Sequence, residues 1–142
     1  MSTMLWVPRS RNDKTGDIPQ GYVGATKEET EKSCEGCPMR KRCYYWGGMP
    51  QAAHASMRRA HAKDEATGRG QRYSLKRALE DSRKMAQWVR GAVGGDPWIF
   101  SREEVEGWHN DARAAGLKGI LLYTHFAADK GAHLKGLAMA SV

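Results

Sequence analysis

All three cysteines of the chain fall within ten residues, at Cys34, Cys37 and Cys43, inside the stretch Ser33 to Trp46. Core packing scatters cysteines along a chain. A local cluster with the spacing C-x2-C-x5-C describes a loop wrapped around something, with Gly36 loosening it between the first pair and Pro38 stiffening the turn after Cys37. A disulfide framework wants an even count and an oxidising compartment, and it leaves Cys43 over. A redox C-x-x-C at the start of a helix leaves the third thiol unexplained, and three buried cysteines with no ligand are the plainest alternative. Ligation of a soft metal centre uses all three. Three cysteines suit a four-iron iron–sulfur cluster (4Fe-4S) that keeps one iron open to a small molecule, or zinc if His54 or His61 adds a fourth bond.

The length of 142 residues bounds the chain to a single domain with room for a real core. No apolar run approaches the ~20 residues of a membrane helix, and the N-terminus lacks the long apolar region of a secretory signal. The expected location is the cytoplasm, where thiols stay reduced. The net charge of +7 is uneven: Met1 to Arg77 holds 15 basic against 8 acidic residues, while Ala78 to Val142 holds 8 of each. The basic excess therefore surrounds the cysteines. Such a half can contact nucleic acid, or it can simply be a solvated surface around a site for an anionic ligand.

Met4 to Val7 reads as a first strand ended by Pro8, and Arg9 to Gly24 as irregular. Thr26 with Glu29 predicts a capped helix over Lys27 to Lys32. Gly47-Gly48 and Pro50 precede an Ala-rich helix over Gln51 to Lys63. Ala66 to Arg72 reads as a basic loop, and Ser74 caps an amphipathic helix with Leu75, Leu79, Ala86 and Val89 near one stripe. Arg90 to Val93 reads as a short strand, and Ser101 with Glu104 opens a helix that buries Val105, Trp108 and Ala112 and stops at Gly116. Ile120 to Thr124 reads as a covered parallel strand, His125 to His133 as a short crossing, and Leu134 to Val142 as a last strand. His54 and His61 are either zinc ligands or solvated helix residues, and His109 is expected at the surface.

This alternation predicts an α/β fold in which parallel βα units form a partial, half TIM-like barrel. A full barrel needs ~250 residues. The expectation is therefore either a partner or second copy at the open sheet edge, or a longer barrel from which the C-terminal part is missing. Ligands in such sheets bind beyond the carboxyl ends of the strands. That rim collects the cysteine loop, Gly94-Gly95-Asp96-Pro97, Tyr123-Thr124-His125 and Ala140-Ser141. Gly94 and Gly95 can let a backbone approach a ligand, or can merely turn the chain from strand to helix. His125 is the best-placed histidine for a pocket.

A cysteine triad followed by a Gly-Gly-acid turn resembles the radical S-adenosylmethionine enzymes. More closely, Ala92 to Pro97, Leu121 to Thr124, His133 to Leu137 and Met139 to Ser141 resemble uncharacterised phage-encoded radical-SAM-like proteins. The resemblance implies an enzyme of that type acting on an unknown substrate, in host cytoplasm if phage-encoded. It implies that Cys34, Cys37 and Cys43 hold the cluster, and that Gly94, Gly95 and Asp96 hold the methionine end of S-adenosylmethionine. It also implies that Tyr44 packs near the adenine or the cluster, and that one electron releases a 5′-deoxyadenosyl radical. The family spacing is C-x3-C-x2-C and its acid is Glu, where this chain has C-x2-C-x5-C and Asp. The competing expectation is a zinc-binding basic module that binds nucleic acid.

Overall fold

A computed structural model describes residues 2–9, 18–69, 72–82 and 87–140. The strands are β1 (Met4–Val7), β2 (Gln20–Val23), β3 (Trp88–Arg90), β4 (Gly119–Leu121), β5 (Tyr123–Thr124) and β6 (Met139–Ala140). The helices are α1 (Lys27–Cys34), α2 (Tyr44–Gly47), α3 (Met49–Ala66), α4 (Leu75–Asp81) and α5 (Arg102–Ala114). The main sheet runs β1-β2-β3-β4 in that order. β1 is antiparallel to β2, with Met4 opposite Val23, whereas β2, β3 and β4 are parallel, with Val89 opposite Ile120. β5 and β6 make a second parallel pair, tied to the first sheet by Met139 N donating to Leu122 O at 2.8 Å. The result is an α/β architecture with a mixed, mostly parallel, open sheet. Among the described residues the strands do not close into a barrel.

Alternation along the strands divides the core between the two faces of the sheet. Met4, Trp6, Val23, Val89 and Ile120 pack with Leu75 and Ala78 of α4 and with Val105 and Ala112 of α5. Leu5 and Tyr22 point the other way, to Met57 of α3 and to Tyr45. Among the described residues no helix is long and apolar enough to cross a membrane.

Helix starts follow their caps. Thr26 Oγ1 accepts from Glu29 N at 3.2 Å, and Ser101 and Glu104 close a reciprocal capping box. Glu29 does not return to its own cap; its carboxylate accepts instead from Ala25 N and Thr3 N, joining α1 to the chain before β1.

The strands depart further from expectation. β2 lies inside the stretch read as irregular, because Gly21 is required by packing: a Cβ there would sit 2.7 Å from the Trp6 ring. The cysteine loop therefore follows β2 and α1 rather than the first strand. The strand expected at Arg90 to Val93 is Trp88–Arg90, ended where Ala92 takes a left-handed φ of 54°. The run Ile120 to Thr124 is split at Leu122. The expected last strand is only Met139–Ala140, preceded by a 3₁₀ turn at Ala132–Leu134, and Ser141 and Val142 lie outside the described residues, as does Ala86. His109 is buried, not at the surface: Nε2 meets Leu137 O at 3.1 Å, and Ile120 N donates to Nδ1 at 3.4 Å.

Candidate functional site

From the end of α1 the cysteine loop turns every three residues. Cys37 N donates to Cys34 O at 3.0 Å, Arg40 N to Cys37 O at 3.2 Å and Cys43 N to Arg40 O at 3.5 Å. Gly36 supplies the left-handed residue that starts this winding, with φ 78°. Cys34, Cys37, Arg40, Cys43 and Trp46 all line one cavity, of about 220 Å³, together with Met39 and Tyr44 of the same stretch. The five-residue gap in C-x2-C-x5-C is two such turns, with Arg40 at the intermediate position.

The remaining wall comes from beyond β3 and from β5: Arg90 to Val93, Gly95, Asp96, Tyr123 and His125. Of the residues singled out in the sequence, Cys34, Cys37, Cys43, Tyr44, Gly95, Asp96 and His125 thus meet at one cavity. Gly94 does not line it. A Cβ on Gly94 would lie 2.2 Å from Cε2 of Tyr45, and one on Gly95, whose φ is 85°, would lie 2.5 Å from Cβ of Val23. Close internal packing, rather than approach to a ligand, requires both glycines.

Asp96 is 3% exposed and joins three elements. Its Oδ1 accepts from Thr124 Oγ1 at 2.7 Å and from Trp98 N at 3.1 Å, and its Oδ2 accepts from His125 N at 2.8 Å. Its backbone N–H donates to Ser33 Oγ at 2.9 Å, and Trp98 Nε1 donates to Ser33 O at 2.7 Å. The residue before the first cysteine is therefore the latch for the Gly-Gly-Asp turn. Burial raises the Asp96 carboxyl above the usual carboxylate range, against the pull of its three donors. A carboxylate offers about four acceptor positions. Three are filled, by Thr124, Trp98 and His125.

The cysteines are free thiols, all partly buried. Burial raises the Cys34 thiol, so a metal taken up there displaces a proton. Among the described residues no three His, Cys, Asp or Glu side chains stand close enough to hold a single metal ion. His54 is neither a ligand nor solvated. It is fully buried, with Nδ1 2.6 Å from Tyr45 Oη and Nε2 2.8 Å from Gly24 O. Because a carbonyl only accepts, Nε2 carries the proton and Nδ1 accepts from the tyrosine. Burial, with the Arg58 charge beside it, lowers His54 to a pKa of about 4. His61, two turns further along α3, is not among the residues lining the cavity.

The sequence placed Tyr123 on the rim and Arg40 and Trp46 in the cysteine loop without giving them a role at the site, and it gave no signal for Arg90, which lines the cavity from β3. No protein-family model matches this chain, and neither a curated protein nor a solved structure shows significant similarity to it.

Proposed function

We propose that this protein holds a four-iron cluster on Cys34, Cys37 and Cys43, binds S-adenosylmethionine in the same cavity, and is a radical-SAM-like enzyme. The observation that carries this is that all three cysteines line one cavity together with Gly95 and Asp96 of the Gly-Gly-Asp turn. The consecutive parallel order of β2, β3 and β4, with the cavity beyond their carboxyl ends, supports the finer description as a partial barrel.

When bound, such a cluster supplies an iron without a protein ligand and one electron for reductive cleavage of S-adenosylmethionine. The chain's own residues bind and shield. The remaining acceptor capacity of the Asp96 carboxylate takes an ammonium, and Gly91 to Val93 line the cavity beside it. Tyr44 sits at the mouth instead of the interior, 53% exposed, with its hydroxyl accepting from Arg90 Nη2 at 2.8 Å. The cavity of about 220 Å³ falls below the roughly 300–1,000 Å³ of ordinary ligand pockets.

Zinc with nucleic acid is the less supported function, because His54 is committed to Tyr45 and Gly24. Anaerobic purification with iron, sulfide and zinc analysis decides between them. About four irons and four sulfides per chain, lost in Cys43→Ala, are expected. One zinc and no iron, or no metal at all after reconstitution, sinks the proposal.

A further inference from the structure

Two exposed aromatic rings and two arginines frame the mouth of the cavity. Tyr44 is 53% and Tyr123 51% exposed, and they come from different elements, α2 and β5. One exposed tyrosine is ordinary. Two lining the same cavity, one of them fixed through its hydroxyl by Arg90, are aromatic faces held open to solvent. Arg40 sits 3.6 Å from the centroid of the Trp46 ring, which holds its guanidinium in place without neutralising it. Among the described residues neither Arg40 nor Arg90 pairs with a carboxylate. Asp96, the acid of the same cavity, already accepts from three other donors.

A ligand carrying only a carboxylate gains nothing from the rings. A neutral aromatic ligand leaves two guanidinium groups unanswered. A base bearing a phosphate uses both: rings stack any base face, and guanidinium forks match phosphate oxygens. Exposed Lys41 and Arg42 continue the positive charge outward along the 3₁₀ turn at Arg40–Arg42, as a backbone with further phosphates requires. We infer that the mouth formed by Tyr44, Tyr123, Arg40 and Arg90 binds the substrate of this site, a phosphate-bearing nucleobase presented as single-stranded nucleic acid or free nucleotide. This names the substrate class of the site proposed above and rests on that reading for the chemistry that follows binding, though not for binding itself.

The test is fluorescence anisotropy of a labelled 12-nucleotide single strand, with the metal-free and the reconstituted chain, over a series of salt concentrations. Binding is expected to weaken with salt, by roughly 0.7 in log Kd per log salt for each phosphate neutralised. Tyr123→Ala and Arg40→Ala are each expected to weaken it roughly tenfold, and Arg113→Ala on α5 to leave it unchanged. AMP should compete and adenosine should not. AMP as tight as the oligonucleotide identifies a free nucleotide, and a tighter oligonucleotide identifies a strand. Displacement by adenosine as effective as by AMP assigns the rings to the cofactor and overturns the inference. So does a chain that binds no oligonucleotide, or whose binding ignores both substitutions while circular dichroism shows the variants folded. Iron in a chain that binds no nucleotide overturns this inference alone; nucleotide binding by a chain that takes up no iron overturns the cluster alone.

Discussion

The ring of Tyr45 lies so close over Gly94 that a Cβ there would come within 2.2 Å of Cε2. Tyr45 follows the last cysteine by two residues, and Gly94 opens the turn that ends in Asp96. This contact fixes the two walls of the cavity against each other. Gly94→Ala should therefore lower stability by about 1–3 kcal/mol, as overpacking does. Gly107, inside α5 with open space around its Cα, is the control: Gly107→Ala should stabilise by about 0.5–1 kcal/mol through helix propensity. Urea unfolding of the two variants separates a glycine required by packing from one that is not.

His54 ties the same region to pH. Its folded pKa of about 4 lies below the ordinary value of 6.5, so the unfolded chain binds the proton more readily. Stability from this group is complete above pH 6.5 and is lost as pH falls toward 4, by an amount on the order of 3 kcal/mol. Burial lowers His109 too, with the same sign. Urea midpoints measured across this window should fall steeply for the wild type and less steeply for His54→Gln. Equal slopes would show that the buried imidazole does not govern the acid limb.

Asp96 works in the opposite sense. Its folded pKa is raised, so stability from this group falls as pH rises from the ordinary carboxylate value through the raised one. The Thr124 hydroxyl holds that rise in check. Thr124→Val keeps the shape and removes the donor. It should move the Asp96 carboxyl further up in an NMR titration and cost about 1–3 kcal/mol, because Phe126 N also loses its acceptor. A carboxyl titrating unchanged in Thr124→Val would sink this assignment.

Ser101→Ala removes one half of the reciprocal capping box of α5 and should cost about 1 kcal/mol. Thermal unfolding measures it. Because the cap is exposed and lies outside the cavity lining, iron content after reconstitution should not change.

The helix starts were the legible part of this fold, although the helix from Ser74 ends at Asp81 and Val89, read as part of its stripe, is a buried residue of β3. Caps at Thr26, Ser74 and Ser101 and the stop at Gly116 are local, since a hydroxyl and an N–H three residues apart need nothing from elsewhere. Strands were read less well. β2 carries Gly21 and follows Pro19, both of which argue against a strand locally; it forms by pairing with β1 and β3, and the Trp6 ring leaves room only for a glycine at position 21. The buried places of His54 and His109 were hidden for a similar reason: their partners, Gly24 O and Leu137 O, lie about 30 residues away in the chain.

Sequence alone determined that the three thiols sit in one ten-residue stretch, which marks that stretch as a candidate site. It also determined that the Gly-Gly-Asp turn and His125 follow strands of an α/β sheet, though it put the cysteine loop after the first strand, where the structure has it after α1. Only the tertiary structure brought Arg40 and Trp46 of the loop, and Arg90 of β3, to one cavity with the cysteines. It alone gave the two glycines to Tyr45 and Val23. Each of these depends on packing between segments remote in sequence, whose contacts no local pattern of residues records.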